Sequence, residues 1–213
     1  MTPVAQPLIA ELDAALDCAA ESWRGTTLRR LTDLFLAGAS SYTPEQVAVF
    51  DEVMERLMQK IDRRSLVELS GNLAAIENAP AKVIGSLARH VDMLVAEPVL
   101  RSSNVLSEQD LVEIAGNAGK NFALLSRIAE RPRLGRVITD VLIQCGNPGV
   151  ARKVIDNAGA EISELGFAKL VSGAERDREL AAAISKRDDL PPELRPWITA
   201  ALGQGVQSDA PGG

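Results

Sequence analysis

Side chains that could support catalysis are sparse in this sequence, and histidine occurs once, at His90, with Arg89 and Asp92 near it. A metal site with two imidazole ligands is therefore excluded, and a Ser-His-Asp or Cys-His arrangement could be built only around His90. His90 could instead accept a phosphoryl group, but the residues around it do not match the local pattern of histidine phosphotransfer proteins. We interpret His90 as a structural histidine, exposed or packed between helices.

Two cysteines and one Gly-Lys segment are the next candidates. Cys18 and Cys145 lie far apart, with no second cysteine or histidine at metal-ligand spacing. Such sparse cysteines favour buried thiols in a reducing compartment over a disulfide framework. The segment at 116–121 contains glycine and lysine, but it has neither the spacing of a phosphate-binding loop nor a preceding strand, so we predict a turn between helices.

Carboxylate pairs occur at Glu108/Asp110 and at Asp188/Asp189. General acid–base catalysis would need two such groups to converge in a pocket. Acidic residues are also favoured in the first turn of a helix, where the helix dipole stabilises negative charge, and we prefer that explanation. We therefore predict a non-enzymatic protein with no metal ion and no cofactor.

The most distinctive charged feature is a cluster of basic residues that begins at position 127, with Glu130 as the opposing acid at its start. Arg127 and Arg131 are four residues apart and share one helix face. We predict a partner-binding surface, the basic ridge, formed by Arg127, Arg133, Arg136, Arg152 and Lys153. Its partner would be an acidic protein or a nucleic-acid backbone, and the alternative is a solvated helix face.

Composition narrows the choice of partner. The 213 residues carry a formal net charge of −6, which argues against nucleic acid and anionic membrane as general partners. Most of the few aromatic residues lie on apolar helix stripes, which leaves little for stacking on bases. No uncharged apolar run approaches the ~20 residues of a membrane helix, and the N-terminus does not resemble a secretory signal. We predict a soluble, cytoplasmic protein.

Apolar residues recur with helical spacing along almost the whole chain, and strand alternation is absent. The stripes lie at 8–16, 28–35, 47–61, 83–88 and 134–142. Thr43-Pro44 and Asn147-Pro148 each place a capping side chain before a proline at the first helical position. Gly and Asn at 146–149 and 157–159 predict turns, since both residue types tolerate the left-handed conformation. Many short helices joined by tight turns are expected.

The sequence also contains an internal similarity. Shifting the chain by 56 residues aligns 106–142 with 162–198 without a gap, and identical pairs include Ser107/Ser163, Glu108/Glu164 and Arg131/Arg187. Because 56 is a multiple of seven, amphipathic helices alone would match in phase, but they would not share a cap or an arginine between helices. We therefore predict a helical repeat. For Arg131 we favour structural bonds to neighbouring carbonyls, and its match with Arg187 supports this.

Several segments resemble an uncharacterised bacterial family, a domain of unknown function with an α-α superhelix of HEAT-like type. These segments are 87–90, 97–103, 106–111, 131–134, 137–142 and 187–191, and the likeness extends over roughly residues 24–200. The resemblance implies a superhelical fold and provides no catalytic residues. The loop before Pro98, usually acidic in that family, reads Arg-His-Val-Asp at 89–92.

Together these observations predict an all-α superhelix (solenoid) of paired antiparallel helices. We expect one helical-repeat domain at 1–202, with N-terminal helices up to about residue 60 and repeat-like helices after it, and a flexible tail at 203–213. The function that this architecture favours is a protein–protein interaction scaffold or adaptor, with an unknown, acidic partner. The alternative is a nucleic-acid-binding HEAT-like module that uses the basic ridge. Homo-oligomer formation stays open.

Overall fold

The computed structural model describes residues 21–59 and 61–203, and within them it contains twelve α-helices, two short 3₁₀ helices and no β-strand. The α-helices are α1 Glu21–Gly38, α2 Pro44–Met58, α3 Arg63–Leu73, α4 Ala81–Ala88, α5 Met93–Ser102, α6 Glu108–Asn117, α7 Phe122–Ala129, α8 Arg136–Gln144, α9 Pro148–Asp156, α10 Glu164–Ala174, α11 Arg178–Ser185 and α12 Arg195–Gly203. The 3₁₀ helices are Ala39–Ser41 and Pro192–Leu194. The all-α prediction is confirmed.

Some of the sequence predictions fall outside these residues. They are the stripe at 8–16, Cys18, and the tail from residue 204 onward. Gly203, which we assigned to the tail, is the last residue of α12. Among the described helices, none is long and apolar enough to span a membrane.

Local sequence signals set several helix starts. Thr43 and Gln46 form a capping box at the start of α2, with Pro44 as its first residue. Asn147 caps α9 through its side chain, and Pro148 follows in the first turn. Both predicted starts are confirmed, because a cap and a proline act within a few residues of one another.

The start of α4 is capped from another helix. Pro80 precedes α4 and provides no side-chain cap. Instead the buried carboxylate of Asp51, on α2, accepts the backbone N–H of Lys82 at 3.0 Å and of Val83 at 2.9 Å. These two bonds satisfy amides that have no acceptor within their own helix, and they fix α4 against α2.

The chain divides into two compact units, residues 1–107 and 108–213. In the first unit, α1, α3 and α5 form one row of successively packed helices, and α2 and α4 form a second row against it. Phe35, Tyr42 and Phe50 pack together there, with ring centroids 5.1 to 5.8 Å apart. The assignment of residues 1–202 to a single domain stays a prediction.

The second unit has the same two-row arrangement within itself. Helices α6, α8, α10 and α12 form one row, and α7, α9 and α11 form the other. Helix boundaries recur after 56 residues: α6 and α10 begin at 108 and 164, and α7 and α11 span 122–129 and 178–185. Apolar side chains such as Ile128, Ile138 and Phe167 are buried in this unit.

Candidate partner-binding surface

The basic ridge lies within the second unit, and carboxylates of the same unit lie against most of it. Glu130, in the turn after α7, accepts a hydrogen bond from Arg127 Nη1 at 3.0 Å and another from Lys153 Nζ on α9. Lys153 and then Arg127 hold the pKa of the Glu130 carboxyl below its ordinary value. Glu130 therefore joins α7 to α9. From the sequence we had interpreted it only as an acid within the basic cluster.

Two further members of the ridge are also ion-paired. Arg152 Nε lies 2.8 Å from Asp156 Oδ2 one turn later, and its Nη1 lies 3.9 Å from Glu179 Oε2 on α11. Arg136 Nε lies 3.5 Å from Glu161 Oε2. The side chains of Arg136 and Glu161 are both largely exposed, so this last pair is weak.

Arg133 differs from the other four ridge residues. It stands in the loop between α7 and α8, its residue is exposed, and its side chain makes no hydrogen bond or ion pair with the part of the chain that the structure describes. The sequence alone could not separate it from its neighbours. The carboxylates that pair with Lys153, Arg136 and Arg152 include groups from other helices or loops, whose approach depends on packing.

The two arginines that the internal similarity pairs are not part of an open surface. Arg131 is 6% exposed, and burial lowers the pKa of its guanidinium. Arg187 Nη1 donates to the carbonyls of Ile155 and Asn157 at 3.1 and 2.9 Å, and its Nη2 donates to Ala160 at 2.8 Å. The carbonyl bonds that we expected for Arg131 stay a prediction, and its counterpart Arg187 makes bonds of this kind.

Asp189 completes the surroundings of Arg187. Its two carboxylate oxygens accept from Arg187 Nε and Nη2, both at 2.8 Å, in a bidentate pair. This hydrogen bonding holds the pKa of the Asp189 carboxyl below its ordinary value. Arg187 thus makes five bonds, the full donor capacity of a guanidinium, and it joins the loop after α11 to the loop after α9.

A groove of about 850 Å³ opens beside Arg187. Its walls come from three loops of the second unit, which follow α7, α9 and α11. The first two loops are joined by the bridge between Leu134 and Ala160, with Leu134 N–H donating to the Gly159 carbonyl at 3.0 Å. The lining residues are Arg133, Leu134, Gly135, Ile155, Asp156, Ala158, Gly159, Ala160, Glu161, Ala183, Lys186, Arg187, Asp188 and Asp189.

Gly159 is needed in this groove for a reason that the sequence did not indicate. The turn that we predicted at 157–159 is present and includes Gly159. Its φ is not positive, since among the described residues only Gly119 and Gly146 have positive φ, at 54° and 70°. A Cβ at Gly159 would collide with the carbonyl oxygen of Pro132, so the loops pack too closely there for any side chain.

The charges of the groove fall into paired and unpaired sets. Asp156, Glu161 and Asp189 are each in an ion pair with an arginine. Arg133 in the first loop and Lys186 in the third loop are exposed, and within the described chain their side chains have no such partner. Sequence reasoning missed Lys186, and the signal that could have found it is its position directly before Arg187.

The remaining candidate groups are not among the lining residues of the groove. His90 Nδ1 accepts the backbone N–H of Asp92 at 3.0 Å, and the Asp92 carboxylate caps α5 and binds Arg63. This arrangement agrees with a structural histidine in a turn. Cys145 is half-buried and not in a disulfide. Across the described residues, no group of three or more His, Cys, Asp or Glu side chains is placed to hold a metal ion.

Two aromatic residues are more exposed than the apolar stripes suggested. Trp23 on α1 is 51% exposed and Trp197 on α12 is 62% exposed. Phe35 and Phe167, by contrast, are buried in the two units. Neither tryptophan lines the groove.

Comparison with known families identifies the chain. Residues 95–210, more than half of it, match a family described as uncharacterised proteins conserved in bacteria (DUF2336). The chain belongs to this family. The matched region of DUF2336 includes α6 to α12 and therefore every residue of the groove. No curated protein and no solved structure matches the chain.

Proposed function

We propose that this member of DUF2336 is a non-enzymatic, cytoplasmic scaffold or adaptor for protein–protein interaction, built as an α-α superhelix of paired antiparallel helices. The observation that carries the proposal is the two-row packing. Within each unit, a helix contacts the next helix of its own row and also helices of the other row. The recurrence of helix boundaries after 56 residues in the second unit supports a repeat. Stacked repeats present long surfaces that suit protein recognition.

The groove adds support that does not depend on analogy between folds. Arg187 holds the floor of the groove, and all of its N–H donors are used in hydrogen bonds within the fold. The side chains of Arg133 and Lys186, at the edges of the groove, make no hydrogen bond with the described residues. A rigid floor with open polar groups at the rim is what recognition of a partner needs, because little side-chain entropy is lost in the floor on binding. Loops positioned by a packed scaffold are common binding sites.

Binding of nucleic acid is the second candidate, and the exposure of Trp197 is the observation in its favour. Against it stand the ion pairs of the basic ridge. Arg127, Arg136, Arg152 and Lys153 already contact carboxylates, whose negative charge offsets part of the attraction that a phosphate would experience. The net charge of −6 adds long-range repulsion.

Affinity purification of the tagged protein from a lysate of its own bacterium, with and without nuclease, tests the proposal. We expect a defined protein to be recovered in constant ratio to the bait after nuclease treatment. Recovery of nucleic acid, or of proteins that disappear after nuclease treatment, would favour the second candidate. Light scattering of the purified protein shows whether the partner is a second copy of the chain.

A further inference from the structure

We propose that the groove beside Arg187 binds an extended, acidic segment of a partner protein, with Arg133 and Lys186 contacting its carboxylates. This inference deepens the proposed scaffold function and rests on it. It moves the binding surface from the basic ridge to a site that shares only Arg133 with that ridge.

The charge state of the groove favours an anionic ligand. Three of its four carboxylates are in ion pairs with arginines: Asp156 with Arg152, Glu161 with Arg136, and Asp189 with Arg187. Asp188 is the remaining acid of the lining. Since Arg133 and Lys186 make no ion pair with the described residues, their positive charges remain available at the rim.

The positions of the two cations favour an extended ligand over a single small anion. Arg133 belongs to the loop after α7 and Lys186 to the loop after α11, while the loop after α9 contacts both of these loops through Leu134 and Arg187. A ligand that reaches both cations must therefore cross the middle loop. Ala158, an exposed residue of that loop, is small and leaves room for its backbone.

The same lining argues against a nucleic-acid strand in the groove. A phosphodiester backbone carries a charge at every nucleotide and would meet Asp188, the carboxylate of the lining that has no ion pair with the described residues, as it crossed. No aromatic side chain lines the groove to stack on a base. A peptide can space its carboxylates to match two cations and leave neutral residues opposite the acids.

Fluorescence anisotropy with a labelled glycine peptide that carries two separated glutamates tests the proposal at low ionic strength. We expect saturable binding that is absent for the matching glutamine–glycine peptide. The double variant Arg133→Glu/Lys186→Glu should weaken it by about tenfold or more, since each change removes an attraction and adds a repulsion. Both residues are exposed, so the variants should keep the wild-type circular dichroism spectrum.

The double variant Lys120→Glu/Arg195→Glu is the matched control, because it makes the same change in net charge at exposed sites outside the groove. It should bind the peptide with close to wild-type affinity. An equal loss in the control, or tighter binding of a single-stranded oligonucleotide that the groove variant abolishes, would overturn the inference.

The lysate experiment separates this inference from the scaffold function. A protein partner that is lost with the groove variant and kept with the control supports both. A partner that is recovered equally by both variants overturns the groove assignment and leaves the scaffold function standing. Peptide binding at the groove without any captured protein would support the groove and count against the scaffold.

Discussion

Replacement of Arg187 should destabilise the second unit more than replacement of any ridge arginine. The guanidinium is 10% exposed and donates to the carbonyls of Ile155, Asn157 and Ala160, besides its pair with Asp189. It also lies 6.0 Å from the ring centroid of Phe167. Arg187→Ala therefore removes the link between the loops after α9 and α11. It also leaves these carbonyls and the Asp189 carboxylate, at the floor of the groove, without their hydrogen-bond donor.

Hydrogen bonds to a charged donor contribute about 1.5–3 kcal/mol each, but water entering the open groove would replace part of them. We therefore expect Arg187→Ala to lower the free energy of unfolding by about 2–4 kcal/mol. Arg187→Lys keeps the charge near Asp189 but loses the planar fork of donors, and it should recover less than half of this loss. Arg136→Ala, at an exposed pair, should cost no more than about 1 kcal/mol.

Urea unfolding followed by Trp197 fluorescence, in a Trp23→Phe background, measures the second unit separately. Trp197 lies on α12, which packs against α10 and α11. Equal losses for Arg187→Ala and Arg136→Ala would refute the assignment of Arg187 as the link between loops. Full recovery by Arg187→Lys would refute the importance of its five-donor geometry.

Three further predictions follow from individual contacts. Asp51→Asn should destabilise the first unit by about 1–2 kcal/mol, because Lys82 and Val83 donate to different carboxylate oxygens and Asn replaces one of them by an NH2 group, which cannot accept. Trp23 fluorescence in a Trp197→Phe background measures this. Gly159→Ala should lower the free energy of unfolding by more than about 2 kcal/mol, because the new Cβ collides with the Pro132 carbonyl. Gly116→Ala, whose Cβ would lie in open space on α6, should raise this free energy by up to about 1 kcal/mol in the same urea assay. The pKa values of Glu130 and Asp189 are lowered in the folded state, so their ion pairs stabilise the fold fully above the ordinary pKa values of 4.5 and 3.8. This stabilisation is lost as the pH falls through the pKa values of the folded state, and urea midpoints measured against pH would show the loss.

Features that depend on a few neighbouring residues could be predicted from the sequence. The starts of α2 and α9 were predicted because a capping side chain and a proline act within one turn. The apolar stripe at 47–61 predicted a helix there, and most of it lies in α2, which ends at Met58 and buries Met54 and Leu57 of the stripe. The same local reasoning worked for Gly146, whose positive φ belongs to a turn directly after α8.

Features that depend on distant residues could not be predicted in this way. Gly159 lies in the predicted turn, but the need for glycine there is set by the Pro132 carbonyl, which lies one helix pair earlier in the chain. Asp51 showed no sign of capping α4, because its acceptors become useful only when α2 and α4 pack. The one signal for Lys186 was its position directly before Arg187, and it was weak, since an exposed lysine after a helix is common in any sequence.

The arginines of this protein show why residue type could not assign the binding surface. Arg187 uses all five of its donors within the fold and has none left for a partner. Arg136 and Arg152 are held by carboxylates that packing places beside them. Arg133 stands in a loop where no described carboxylate reaches it. Capacity to bind an acidic partner therefore depends on how many donors folding leaves open, and that number is set by the contacts between helices and loops, which the sequence does not show.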